Sequence, residues 1–148
     1  MAPRYMIISG HGTPEGLWFG TYGTSVDARQ HDMLVGEYLP PSVIAQHVNL
    51  PGCTILAASC HGGAADLAKA YLAGGASAYI GPRKAVGFAL SVFCMHFFFC
   101  VIEKRMSDRD AWEAAVRATD HDDIWSVSYY HADGREEQLT ATGMGASR

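Results

Sequence analysis

The chain has 148 residues, about half of them apolar and 18% charged, with a formal net charge of −4. That length and composition fit one globular domain and exclude a disordered chain. No basic run exceeds a pair such as Arg83-Lys84 or Lys104-Arg105, which argues against nucleic acid as a partner. Four cysteines with no secretory signal read as reduced thiols and predict a cytoplasmic protein.

Arg4 to Ser9 is a short apolar run closed by glycine, which reads as a strand. Gly10 to Gly23 is glycine-rich, with Trp18, Phe19 and Tyr22 interleaved, and has room for a small hairpin. Thr24 to Met33 is polar and reads as a loop. Pro40-Pro41 stops any preceding element and lets a short helix begin over Ser42 to His47. Leu50-Pro51-Gly52 is a turn signal. Cys53 to Ser59 is small and apolar on both faces, as a central parallel strand should be. Ala64 to Ala73 predicts a closely packed helix ended by Gly74-Gly75. A third strand follows at Ala76 to Ile80, closed by Gly81-Pro82.

Val86 to Ile102 runs seventeen residues without a formal charge. A membrane span needs roughly 20 apolar residues, and Gly87, Ser91 and His96 interrupt this one. It therefore predicts a buried or interface helix rather than a membrane helix. Phe88, Phe93, Phe97, Phe98 and Phe99 point to different faces, so such a helix must be covered all round. Either the C-terminal hairpin folds over it, or a second copy or partner protein does. The expectation is a homodimer or partner contact through Val86–Ile102. Asp108 then predicts a cap for a helix over Arg109 to Ala118, with Trp112, Ala115 and Val116 on one side. Ile124 to Tyr130 is a strand, His131-Ala132-Asp133-Gly134 a hairpin turn, and Glu136 to Thr142 the return strand. Residues 143–148 read as a frayed tail. Strands alternating with helices predict an α/β protein. The expected form is a three-layer α/β/α arrangement with a mostly parallel central sheet and a C-terminal hairpin.

Two segments carry reactive side chains just past strand ends: Ser9-Gly10-His11-Gly12 and Ala58-Ser59-Cys60-His61-Gly62-Gly63. The carboxyl edge of a sheet is where open α/β folds place ligands. A thiol beside an imidazole is the minimum equipment of a cysteine nucleophile. Taken alone, Cys60 reads equally as a small core residue, since free cysteine is often buried, and His11 as a turn residue. His61 adjoins the thiol, but successive residues at a strand end diverge, so it reads as a pocket residue rather than the base. Asp27 and Asp32 are candidates to line a substrate pocket, with plain surface charge as the alternative. Cys53, Cys94 and Cys100 read as structural thiols. A zinc site from His11, Cys53, Cys60 and His61 lacks the usual short ligand spacing. The run Asp120-His121-Asp122-Asp123 lacks the pattern of a calcium loop. Neither metal nor cofactor is expected.

At these residues the chain resembles the caspase-like cysteine peptidases. Metacaspases carry Ser-Gly-His-Gly after one strand and Asp-Ser-Cys-His-Ser-Gly after the next. Here His11 and Cys60 are 49 positions apart, close to the roughly 50 between histidine and cysteine in caspases. The run from Leu67 to Gly81 resembles CHAT domains, which follow the cysteine with a glycine, a helix, an Ala-Gly-Ala turn and a strand. Asp110 to Val116 resembles their later alanine-rich helix. The resemblance implies that residues 1–142 form one caspase-like domain. It implies a Cys60–His11 dyad that hydrolyses peptide bonds, with an oxyanion hole from the backbone N–H groups of Gly12 and Cys60. A peptide or protein is the implied substrate. Ala58 stands where metacaspases hold an acidic residue for a basic substrate side chain, so a preference for Arg or Lys is not implied. The family usually has further βα units before the histidine strand. The other reading is the same fold without activity, used as an interaction module.

Overall fold

The computed structural model describes residues 2–20, 33–119 and 121–140. The main sheet has five strands. These are β1 (Tyr5–Ser9), β5 (Thr54–Ala58), β6 (Ala78–Pro82), β7 (Val127–His131) and β8 (Glu136–Glu137), side by side in that order. A second, three-stranded antiparallel sheet joins β2 (His11–Thr13), β3 (Gly16–Trp18) and β4 (Tyr38–Leu39). In the main sheet β1, β5 and β6 are parallel, β7 runs antiparallel to β6, and β8 turns back antiparallel to β7 to complete a C-terminal hairpin.

Burial explains the order. β5 is buried along all but its last residue and β6 throughout, so both need a layer on each face. One face carries α1 (Pro41–His47) and α2 (Ala65–Ala73), which enclose Ile44, Ile55, Leu67, Ala68, Tyr71 and Tyr79. The other carries α3 (Ala89–Ile102) and α4 (Asp108–Ala118), around Leu56, Ile80, Phe93, Phe97, Trp112 and Val116. The three-layer α/β/α form expected from the sequence is thus present.

Some details differ from expectation. Ser107, not Asp108, caps α4, its hydroxyl accepting the Asp110 N–H. The Asp108 carboxylate instead accepts the hydroxyls of Tyr5 and Thr54 at 2.7 and 2.6 Å, which fastens α4 to β1 and β5. The front of the expected strand at Ile124 is a 3₁₀ turn over Asp122–Ser126. The C-terminal hairpin does not fold over α3, because it pairs edge to edge with β6. No described helix is long and apolar enough to cross a membrane. Residues 143–148 lie outside the described residues.

Candidate functional site

Ser9 and Ala58 are register partners at the ends of the parallel strands β1 and β5. His11 and Cys60 each follow two residues later. Both therefore leave adjacent strands at the same carboxyl edge of the sheet. The contact between the two segments is close: a side chain on Gly12 would place its Cβ 2.5 Å from the Cys60 carbonyl oxygen. Only glycine permits that approach.

The turn after β5 is held from several directions. His61 has a positive φ of 55°, an uncommon conformation for a non-glycine residue. It reverses the chain directly after Cys60, and its N–H donates to the Lys84 carbonyl at 3.0 Å. The Gly63 N–H donates to the Pro82 carbonyl at 2.8 Å. From beneath, the Tyr79 hydroxyl donates to the Gly62 carbonyl and the Tyr130 hydroxyl to the Gly63 carbonyl, each at 2.6 Å. Burial pushes the Tyr130 phenol up to about 12, so it remains a donor. Arg83 in turn donates to the Tyr130 hydroxyl and pairs with Glu136. Cys60 is half-buried, and its thiol points to the Val86 carbonyl at 3.9 Å. Among the described residues, the Cys60 N–H has no backbone acceptor.

His11 opens β2, and its side chain is exposed. Across the ladder it faces Trp18, whose ring stands edge-on to the imidazole with centroids 5.4 Å apart. The Trp18 indole N–H donates to Glu37 Oε2 at 2.8 Å, which fixes the ring that backs His11. The β2–β3 connection is a two-residue turn between Thr13 and Gly16. In such a hairpin the flanking pair is hydrogen-bonded and the next is not, so the Gly12 N–H lies outside the ladder. At the tip of this turn, the Glu15 carboxyl is held below the usual range, first by hydrogen bonding to Thr13 and its own backbone, then by the charge of His61.

The structure brings His11, Gly12, Cys60 and His61 to one edge. Asp27 and Asp32 lie outside the described residues. Cys53 is fully buried at the opposite end of β5. A strand rises about 3.3 Å per residue, which keeps Cys53 far from Cys60, so the four-residue zinc set does not assemble. Among the described residues, no three His, Cys, Asp or Glu side chains gather as metal ligands. Sequence reasoning missed Tyr79, Tyr130, Trp18 and Glu37, whose roles depend on pairings that no local motif encodes. It also missed Ser59, whose buried hydroxyl has no partner among the described residues. That hydroxyl lies 3.3 Å from where a Gly12 Cβ would be and 2.6 Å from where a Gly62 Cβ would be.

No known family model and no curated protein matches the chain. A distant match among solved structures is an inactive zymogen of a C11 protease from Parabacteroides distasonis, with a TM-score of 0.41 and 17% identity. It covers 87% of this chain and 34% of that one, so the chain spans about a third of the protease's length.

Proposed function

We propose that the chain is a cysteine hydrolase that cleaves peptide bonds with Cys60 as nucleophile and His11 as general acid and base. The supporting observation is placement: the two residues follow a register pair on adjacent parallel strands, with Gly12 packed against the Cys60 carbonyl. In this scheme the Cys60 thiolate attacks the substrate carbonyl carbon. The C–N bond breaks as the His11 imidazolium gives its proton to the departing amine. A water molecule, deprotonated by His11, then hydrolyses the thioester and regenerates the thiol. The N–H groups of Gly12 and Cys60 would stabilise the oxyanion, a contribution typically worth about 100- to 1,000-fold in rate per donor. A catalytic thiol must be reachable by solutes. Half-buried Cys60 meets that condition and Cys53 does not.

A small electrophile followed by peptide mapping tests the thiol. Cys60 is expected to be labelled well before Cys53, Cys94 and Cys100. A positional peptide library tests the activity, which should vanish in Cys60→Ala and in His11→Ala, because nucleophile and base act as a unit. His61→Ala should keep a measurable fraction. Cleavage that survives Cys60→Ala would overturn the reading. Folded protein that neither labels at Cys60 nor cleaves any peptide would favour an inactive interaction module.

A further inference from the structure

The inward face of α3 is covered. Ala89, Leu90, Phe93, Phe97 and Val101 are buried against the sheet and α4. Its outward face is not. Phe88, just before the helix, is 80% exposed, Met95 63%, Phe99 51% and Ile102 62%. At about 100° per residue, these four fall within an arc of roughly 60°. That is a seam one side chain wide, the width of a helix–helix contact. Phe98, which stacks edge-on with Tyr5 at 5.6 Å, and half-exposed Ile7 on the edge strand β1 extend the apolar surface sideways.

The seam is symmetric about its middle. Phe88 and Ile102 each lie seven positions from Met95, and Phe99 and exposed Ser91 each lie four positions from it. We propose that this face is a two-fold interface between two copies of the chain, with α3 packed antiparallel on α3 and Met95 at the axis. Phe88 of one copy then meets Ile102 of the other, and the large Phe99 meets the small Ser91. The bulge at one position falls on the gap at its mate, which is what an isologous contact requires. The four exposed side chains offer on the order of 500 Å² at about 150–250 Å² for a large side chain. With Phe98 and Ile7 beside them, the face approaches the roughly 800 Å² per partner of a stable interface. A lipid surface suits the face less well. An interfacial helix turns a Lys/Arg-rich side to water, whereas the opposite side of α3 is the protein core. This proposal does not depend on the catalytic reading.

Sedimentation equilibrium of the full chain at tens of micromolar should give twice the 16.0 kDa monomer mass. Met95→Glu and Met95→Lys should each give monomers, with dimer affinity weakened more than about 100-fold, because like charges would meet at the axis. Far-UV circular dichroism should be unchanged, since Met95 is largely exposed. An equal mixture of the two variants should recover the dimer mass, because opposite charges then face each other. Wild-type monomer would overturn the proposal, as would dimers that persist in both variants or a mixture that stays monomeric. A wild-type monomer that sediments with phosphatidylcholine–phosphatidylserine vesicles would also overturn it and assign the face to lipid.

Discussion

Cys60 sits on a turn that the core grips from beneath through Tyr79 and Tyr130 and from the side through Lys84 and Pro82. His11 sits on a small antiparallel sheet whose fully buried members are Gly12, Gly16 and Leu17, with its backing Trp18 fixed by one carboxylate. The position of Cys60 is therefore a property of the core, whereas that of His11 is a property of a peripheral hairpin. The two meet where Gly12 touches the Cys60 carbonyl. Damage to one region should read out as lost stability, and damage to the other as lost geometry.

The largest contrast should come from two glycines. A Cβ on Gly63 would lie 2.1 Å from the Gly81 carbonyl oxygen, whereas a Cβ on Gly10 would meet nothing within 4 Å. Gly63→Ala should destabilise by about 3 kcal/mol or more, because backbone on both sides must move. Gly10→Ala should stay within about 0.5 kcal/mol. Urea denaturation measures both, and equal midpoints would erase the distinction between gripped turn and peripheral hairpin.

A smaller effect is expected for Tyr79→Phe. It removes the donor to the Gly62 carbonyl from a fully buried site. The loss should be about 1–3 kcal/mol, with slower alkylation of Cys60 at temperatures where the variant is still folded. A loss of stability with an unchanged alkylation rate would mean the tyrosine supports the core without holding the turn. Trp18→Ala should matter least to stability, under about 1 kcal/mol, because the indole is 39% exposed. It should shift the imidazole proton resonances of His11, which lose the edge-on ring. Unshifted resonances would show that the indole does not position that imidazole.

The fold was legible where burial sets a simple rhythm. The runs at Tyr5–Ser9 and Thr54–Ala58 read as strands because they are short, apolar and closed by turn residues. Ala65–Ala73 read as a helix because Gly74-Gly75 ends it. Boundaries were less legible where a side chain had a distant engagement. Asp108 resembles a cap in sequence, yet Tyr5 and Thr54 claim its carboxylate from 103 and 54 positions away, and the cap falls to Ser107. Similarly, Ile124 matched the strand pattern but is buried within a 3₁₀ turn. The candidate site was half legible. His11 and Cys60 announce themselves by type and spacing, and the strand register that puts them on one edge follows from a parallel sheet. The tyrosines beneath the turn, and the Trp18–Glu37 pair beside His11, are ordinary aromatic and acidic residues until the strands are placed.

The pairing of β1 with β5 joins Tyr5 to Thr54, 49 positions along the chain, whereas β5 and β6 join Thr54 to Ala78, only 24 apart. Doubling a loop adds only about 0.6 kcal/mol of closure entropy, so the finished structure scarcely registers the difference. The rate of assembly does register it, because distant contacts must be found before they can reward the search. The β5–α2–β6 segment, which includes Cys60 and its turn, is the shorter-range of the two parallel pairings. The hairpin bearing His11 joins it only through the longer closure, so a chain caught midway in folding would present the Cys60 thiol before the His11 imidazole reaches it.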